Sequence, residues 1–592
     1  MNLGRLWRTV RHLNADQWRY RVIRRGRYVC AGLAPAAWAR RLERQSERLE
    51  FADPAATALA GVADQLLVHQ TVVHGDHLNA MNEGRFTLLG HTEDFGAAER
   101  IDWRRETADG NGLLWRLNLA YMGYAVPWLA SGEAADLARA AAVLRALEAG
   151  NPWHMPGVFR DVWNPYTVSH RLINLLAGLH LHGRAGGTLA APERELFFGH
   201  LRRLAAYIAG NLEKDLQFNH LMKNYVALAV YAAALPALPA TWHFLAAETK
   251  ASVRQNFLTD GGHAERSPMY HLLGLQDLRL LRATGLFDET REDWLEPVIS
   301  KAAAALRLLS HPDGDIALFN DAWFDEAPSA AALVRDAPTP GRHDLPETGY
   351  VRLDGGNDAV IFDVGPCGPD ENPAHAHADF LSLEASVGGA RFLVDPGTPA
   401  YAPGPLRDLG RSAAQHNGPH LEGDEPLEFW AAFRVGRRGN AEILPGLDGH
   451  APLAVAGRQN GYAHLGVGVS RFVGLWPDQG MLIVDAWTGP AAGRAATRFL
   501  IPRVWRPAGA EGMAFQCGGT TVRAEVLAGD AGSITEAEWW PHFGVAARAQ
   551  ALCVKPQPEP DGHFLAVRFV WGDGEMLATA DLSEIRRALT AS

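Results

Sequence analysis

An α-helical toroid followed by an antiparallel β-sandwich is the architecture this sequence predicts. Three observations lead there. From about residue 55 to 335 apolar residues recur at i, i+3 and i+4; near residue 345 the period changes to two; and the segment DAPTPGRHDLPE, 336–347, places Pro and Gly at the change. In class terms this is an α+β multidomain chain, with an N-terminal helical extension over 1–54, an incomplete (α/α) toroid over 55–340 and the sandwich over 341–592.

Helical runs are expected over 137–149, 168–182, 192–212, 225–235 and 301–309, separated by loops rich in Gly, Pro and Trp. Their succession fits paired helices whose loops gather at one mouth. Beyond the boundary, YVRLDGGNDAVIFDV and FLSLEASVGGARFLVDPG each place two alternating runs around a Gly-containing turn, the signature of a hairpin. Further strands are expected in RFLIPRVW, TTVRAEVL and HFLAVRFVW.

A chain of 592 residues exceeds one ordinary core, and 47% hydrophobic with 21% charged residues is a globular composition. The net charge of −11 argues against a nucleic-acid partner, which needs clustered cations to displace counterions. Of the 56 cations only five are lysines: Lys214, Lys223, Lys250, Lys301 and Lys555. Cys30, Cys367, Cys517 and Cys553 lie too far apart for a thiolate zinc site or a disulfide framework. No stretch reaches the roughly 18 apolar residues of a membrane helix. The opening MNLGRLWRTVRHLNADQWRYRV interleaves Arg with Leu, Trp and Val and shows no apolar signal core, so a cytoplasmic location is expected, with the periplasm as the alternative. Nothing indicates the oligomeric state.

Three constellations could carry chemistry. In FNHLMKNYVALAVYAAAL, Asn219 can cap a helix on which His220, Lys223 and Asn224 fall at i, i+3 and i+4 from the histidine, sharing a face near the mouth. In DGGHAERSPMYHLLGLQDL, Ser267 and Pro268 signal a helix start and put Tyr270 in the first turn. The dipole there favours phenolate, which would ease proton exchange. In NPAHAHADFLSLEASVGGARFLVDPGTPAY, His375, His377 and Asp379 alternate with alanine, so an extended strand would turn all three one way. His377, Asp395 and His416 offer two imidazoles and a carboxylate, a ligand set suited to zinc. If Gly388 and Gly389 form a two-residue turn, Asp395 lies opposite Ser382 and His377 roughly 17 Å further on, at about 3.3 Å per residue. Sharing an ion therefore requires the His-Ala-His stretch to leave the strand and curl back. Each constellation also has a purely structural reading: a cap, a packed aromatic, a hydrogen-bonded histidine cluster.

Taken together, the segments RLWRTVRHLNADQWRYRV, LLWRLNLAYM, WNPYTVSHRLINLL, NHLMKNYVALA, DGGHAERSPMYHLLGLQDL, GDIALFNDAW, GPDENPAHAHADFLSLEASVGGARFLVDPGT, RSAAQHN and EFWAAFRVGRR resemble, in order, the heparinase II/III family of polysaccharide lyases. The resemblance implies an active site in the cleft between toroid and sandwich, and β-elimination on an acidic polysaccharide. It implies that Asn219 neutralises the uronate carboxylate, that Tyr270 and His375 are catalytic, and that His377, Asp395 and His416 match a structural zinc site of some members. No organic cofactor is expected. One departure stands out: some members carry glutamate three residues after the histidine of the NH motif, where this chain has Lys223.

Substrate contacts are expected from His220, Lys223 and Asn224, and from Trp163, Tyr166 and Arg171 near the shared segments, since aromatics stack on sugars and arginine forks carboxylates or sulfates. Heparan sulfate, hyaluronan, alginate and bacterial exopolysaccharide all meet the chemical requirement of a uronate. Two rivals are a glycoside hydrolase, which needs two carboxylates about 5–10 Å apart among candidates such as Glu265, Asp277, Asp315 and Asp321, and a non-catalytic glycan-binding protein.

Overall fold

Asn164 and Pro165 start the helix Pro165–Arg184 as capping rules require: the Asn164 side chain accepts from the Tyr166 amide at 3.0 Å and proline occupies the first turn. This helix and Phe218–Ala233 are buried along most of their length, as expected of inner helices. Ala134–Gly150, Ala191–Gly210, Pro268–Ala283 and Leu295–Leu308 pack around them in one continuous apolar core. The computed structural model describes residues 3–49, 59–107, 110–287, 293–489, 492–508, 513–559, 562–572 and 581–591. The expected boundary at 54/55 lies outside the described residues.

Every expected helix is present, several beginning or ending a few residues away from the expected limits. The helical half also holds an unforeseen hairpin, Arg85–Leu88 with His91–Asp94, turned by Leu89 and Gly90 at φ 51° and 70°. A four-residue strand carries too little alternation to register beside long helices.

Sandwich strands begin at Gly341. A five-stranded antiparallel sheet runs from Gly341–Leu345 to Ala390–Leu393, and faces a nine-stranded sheet, with a four-stranded sheet built on Asp530–His542 and Val545–Lys555. Val351, Val360, Phe362, Phe392, Val473, Ile483 and Phe569 meet in a shared interior. Val387 pairs with Ala390 across Gly388 and Gly389, as expected, but an irregularity between Ala385 and Ser386 shifts the register so that Ala385 faces Leu393. The predicted pairing of Asp395 with Ser382 is thereby lost. Leu582–Thr590 closes the chain on the outer face of the larger sheet.

Polar contacts lock the two halves together. Asp260 accepts from the Thr348 amide at 2.8 Å, the Arg266 guanidinium donates to the carbonyls of Glu347 and Thr348, and Tyr350 donates to the Arg266 carbonyl at 2.7 Å. The N-terminal helices straddle the joint: Arg5 and Arg8 pair with Glu428 of the sandwich, Arg24 with Glu213 and Asp215 of the toroid. Among the described residues no helix is long and apolar enough to cross a membrane.

Candidate active site

Asn219, Tyr270 and His375 arrive from three different elements and meet at the joint. Tyr270 sits where Ser267 and Pro268 start the helix Pro268–Ala283; the Ser267 hydroxyl accepts from the Tyr270 amide at 3.2 Å and itself donates to the Asp321 carbonyl at 2.6 Å. His375 lies in the loop between strands Ala359–Asp363 and Leu383–Val387. Its ring packs on Tyr270 with centroids 4.1 Å apart. Asn219 occupies the first turn of Phe218–Ala233; it does not cap that helix. The cap position is Gln217 at φ 63°, followed by Phe218 at φ 44°. The Asn219 amide oxygen is buried without a hydrogen-bond partner. Glu265 joins the three, with the Asn219 backbone amide on one side and His375 Nε2 at 3.7 Å on the other.

Backbone strain marks the same place. Of the non-glycine residues at positive φ, Gln217, Phe218, Arg266 and Asn320 border this joint. Such strain persists only where surrounding contacts impose it, and it concentrates at functional sites.

Asp321 is the hub beneath His375. Fully buried, it accepts from His375 Nδ1 at 2.9 Å, from His377 Nε2 at 3.1 Å, and from both terminal nitrogens of Arg407. Burial alone would raise its pKa, but Arg407 and the two imidazoles more than offset that and hold it well below the carboxylate range. The Arg407 guanidinium also lies 5.1 Å over the ring of Tyr401, whose hydroxyl is 3.1 Å from that of Tyr270. Tyr401 and Arg407 had no place among the expected site residues, and Asp321 only as a candidate carboxylate of the rival hydrolase reading, although each lies in or beside a segment carrying the family resemblance. Nothing in their spacing announces that they converge.

Tyr270 does not titrate as its helix position suggests. Burial first, then Tyr401 and Asp321, push its phenol well above the ordinary 10. Desolvation outweighs one helix dipole, and the side chain is a protonated phenol. Burial also raises Glu265, with His375 and His220 pulling the other way.

The remaining expectations divide. His220 stays at the cleft, its ring 4.7 Å from Tyr166 and its Nδ1 3.2 Å from Glu213. Burial lowers its pKa, yet the Glu213 carboxylate reverses that and leaves it raised. Tyr166 and Lys223 line a neighbouring cavity of about 840 Å³ between toroid and sandwich. Lys223 pairs there with Asp277 at 2.5 Å. Asn224 does not face the mouth: fully buried, it binds Glu213 and Ser169 because an inner helix has no solvent side. Trp163 and Arg171 are not surface contacts either. Trp163 packs against Trp153 with centroids 4.1 Å apart and donates to the Asn151 carbonyl at 2.9 Å, while Arg171 is wholly enclosed, donating to the carbonyls of Ala120 and Val162, with burial lowering it to about 9.

The His-Ala-His stretch is no strand. It curls, so His375 turns to Tyr270, His377 to His416, and the Asp379 carboxylate to the Asn320 amide at 3.1 Å. That departure brings His377, Asp395 and His416 together, with ligand atoms all within 4.8 Å of one another. His377 Nδ1 and His416 Nε2 are buried and have no hydrogen-bond partner. Two bare imidazole nitrogens beside a buried carboxylate fit a divalent ion.

Family models match most of the chain: one described as Heparinase II/III N-terminus over residues 53–338, and one described as Heparinase II/III-like, C-terminal over 337–567. The chain belongs to the heparinase II/III family of polysaccharide lyases. Solved lyases of this kind share its fold. A heparinase III structure superposes with a TM-score of 0.67 at 16% identity, covering 80% of this chain and 79% of that one. A heparan sulfate lyase HepC mutant from Pedobacter heparinus gives 0.55 at 16% identity over 92% and 90%. Among curated proteins, FtsZ-localized protein C of Caulobacter vibrioides is 33% identical over 129 residues, a match spanning 20% of this chain and about a fifth (21%) of that relative's length.

Proposed function

We propose that this heparinase II/III family lyase cleaves a uronic-acid-containing polysaccharide by β-elimination, leaving a 4,5-unsaturated uronate end. The observation that carries the reading is the packing of a phenol on an imidazole, Tyr270 on His375, with Glu265 linking His375 to the helix start at Asn219, whose amide oxygen is buried and unpartnered.

The hydrogen-bond network supports a division of labour. Asp321 is ionised and accepts at His375 Nδ1, which fixes the ring and leaves Nε2 as the nitrogen that turns to the substrate. His375 then removes the C5 proton. Asn219 hydrogen-bonds the adjoining carboxylate as negative charge spreads into it, a preorganised contribution of about 3 kcal/mol. Tyr270, protonated in its ground state, gives its proton to the departing O4, helped by Tyr401. One further feature weighs against glycoside hydrolysis. That chemistry needs a second reachable carboxylate, and Asp321 is enclosed and already committed to three partners.

His377, Asp395 and His416 would hold a divalent ion of the zinc type. When bound, that ion supplies positive charge to offset buried Asp395 and a crosslink between the loop carrying His375 and the strand end at Asp395.

The cavity beside the site is of the size that receives ligands of a few rings. The cations lining it are already engaged, Lys223 by Asp277 and Arg279 by the Leu333 carbonyl. This favours a weakly sulfated or unsulfated uronate polymer over heparan sulfate. Incubating the protein with hyaluronan, alginate, heparan sulfate and bacterial exopolysaccharides while following ultraviolet absorbance tests the reading. Growth of the conjugated chromophore on an unsulfated polymer is expected; new reducing ends without absorbance would assign hydrolysis instead, and binding without either would assign a glycan-binding role.

A further inference from the structure

The N-terminal helices present a hydrophobic face to solvent. On Ala15–Leu33 the inward side is polar: Gln17 donates to the Glu371 carbonyl at 3.2 Å, Arg24 pairs with Glu213 and Asp215, and Tyr28 stacks on Phe159 at 4.3 Å. At about 100° per residue the opposite side collects Trp18, Val22, Gly26, Val29 and Leu33 into one stripe. Trp18 is 48% exposed, Val22 71% and Leu33 81%. The preceding helix, Leu3–Val10, repeats the arrangement: Arg5 and Arg8 reach inward to Glu428 and leave Trp7 64% exposed. This inverts the usual amphipathic helix, whose apolar side faces the core, and an exposed apolar stripe of this kind marks a contact surface.

Charge identifies the partner. The first 50 residues hold twelve arginines against four carboxylates, in a chain whose net charge is −11. Arg19 and Arg25 flank the stripe and are exposed. The stripe is a convex ridge on a helix fixed to both halves of the molecule. A second copy meeting it across a two-fold axis would set arginine against arginine, whereas a deformable anionic sheet fits both the ridge and the charge.

We infer that the outward face of the N-terminal helices docks on an anionic lipid surface, with Trp7, Trp18, Val22 and Leu33 entering the interface and Arg19 and Arg25 meeting the headgroups. The full chain should pellet with vesicles containing phosphatidylglycerol and remain in solution with phosphatidylcholine alone, and high salt should release it. Trp18→Glu combined with Val22→Glu should lower vesicle binding at least tenfold without moving the thermal unfolding temperature, since both side chains are exposed. Arg19→Gln with Arg25→Gln should lower it about thirtyfold. A chain that ignores both vesicle types, or a Trp18→Glu/Val22→Glu variant that binds as well as the wild type, overturns the inference. So does a wild-type dimer that the same variant converts to monomer, which would assign the face to a second copy.

Discussion

At the scale of single residues, the proposed mechanism separates side chains that would touch substrate from those that only hold the cleft. Tyr270→Phe removes the proposed proton donor and keeps the ring against His375, so turnover should fall at least a hundredfold while the unfolding temperature stays within a few degrees. Asn219→Ala should lower kcat by about 100- to 1,000-fold through loss of the amide that shares the enolate charge. A steady-state assay on the substrate found in the ultraviolet screen checks both. Trp163 tests the opposite assignment. Enclosed by Trp153, Tyr207 and His200, it should cost about 3–5 kcal/mol of stability when changed to Ala, read in denaturant unfolding, and KM of whatever remains folded should be unchanged. A raised KM with normal stability would return Trp163 to the substrate surface.

The resemblance carried in DGGHAERSPMYHLLGLQDL and NPAHAHADF already pointed to Tyr270 and His375. Those residues were legible because a helix start and a His-rich run are local events. Asn224, Trp163 and Arg171 were misjudged because sequence neighbours of a site share its segment without sharing its direction. On an inner toroid helix, one step in sequence turns a side chain by about 100°, from cleft to core.

At the scale of elements, the loop between Ala359–Asp363 and Leu383–Val387 does most to build the site. It presents His375 to the cleft and His377 to Asp395 and His416, with Asp321 bridging the two imidazoles. Stripping metal with a chelator should lower the unfolding temperature and reduce turnover together, with zinc restoring both; His416→Ala should lower the temperature and abolish the chelator effect. An unfolding temperature indifferent to chelator would leave the cluster a hydrogen-bonded one. The alternation His-Ala-His reads as strand by period, yet the chain curls there, because contacts with Asp321 and Arg411 from other elements outweigh a two-residue preference.

At the scale of the whole molecule, the toroid buries many imidazoles in their neutral form. His74 is held down to about 3, and His200 and His271 to about 4, in each case chiefly by burial. Their folded values lie below the ordinary 6.5, so the unfolded chain takes up protons that the folded chain refuses. Stability is therefore unaffected by these groups above about pH 7 and is lost as pH falls below 6.5. From these three alone the slope approaches about 4 kcal/mol per pH unit near pH 5. Unfolding temperatures measured from pH 8 to 4 should show a plateau and then a steep fall; a flat profile down to pH 4 would mean that the histidines are hydrated.

By itself the sequence determined the change of period near residue 345, the helix start at Ser267, the hairpin at Gly388 and Gly389, and the ordered segments that mark the family. All depend on forces acting over a few residues: capping, turn chemistry, side-chain alternation. Only the tertiary structure decided that Asp321, Tyr401 and Arg407 belong to the site, that Asn224 does not face it, and that Tyr270 stays protonated. Those outcomes depend on which distant groups share a low-dielectric space, and that is settled when toroid and sandwich close on each other.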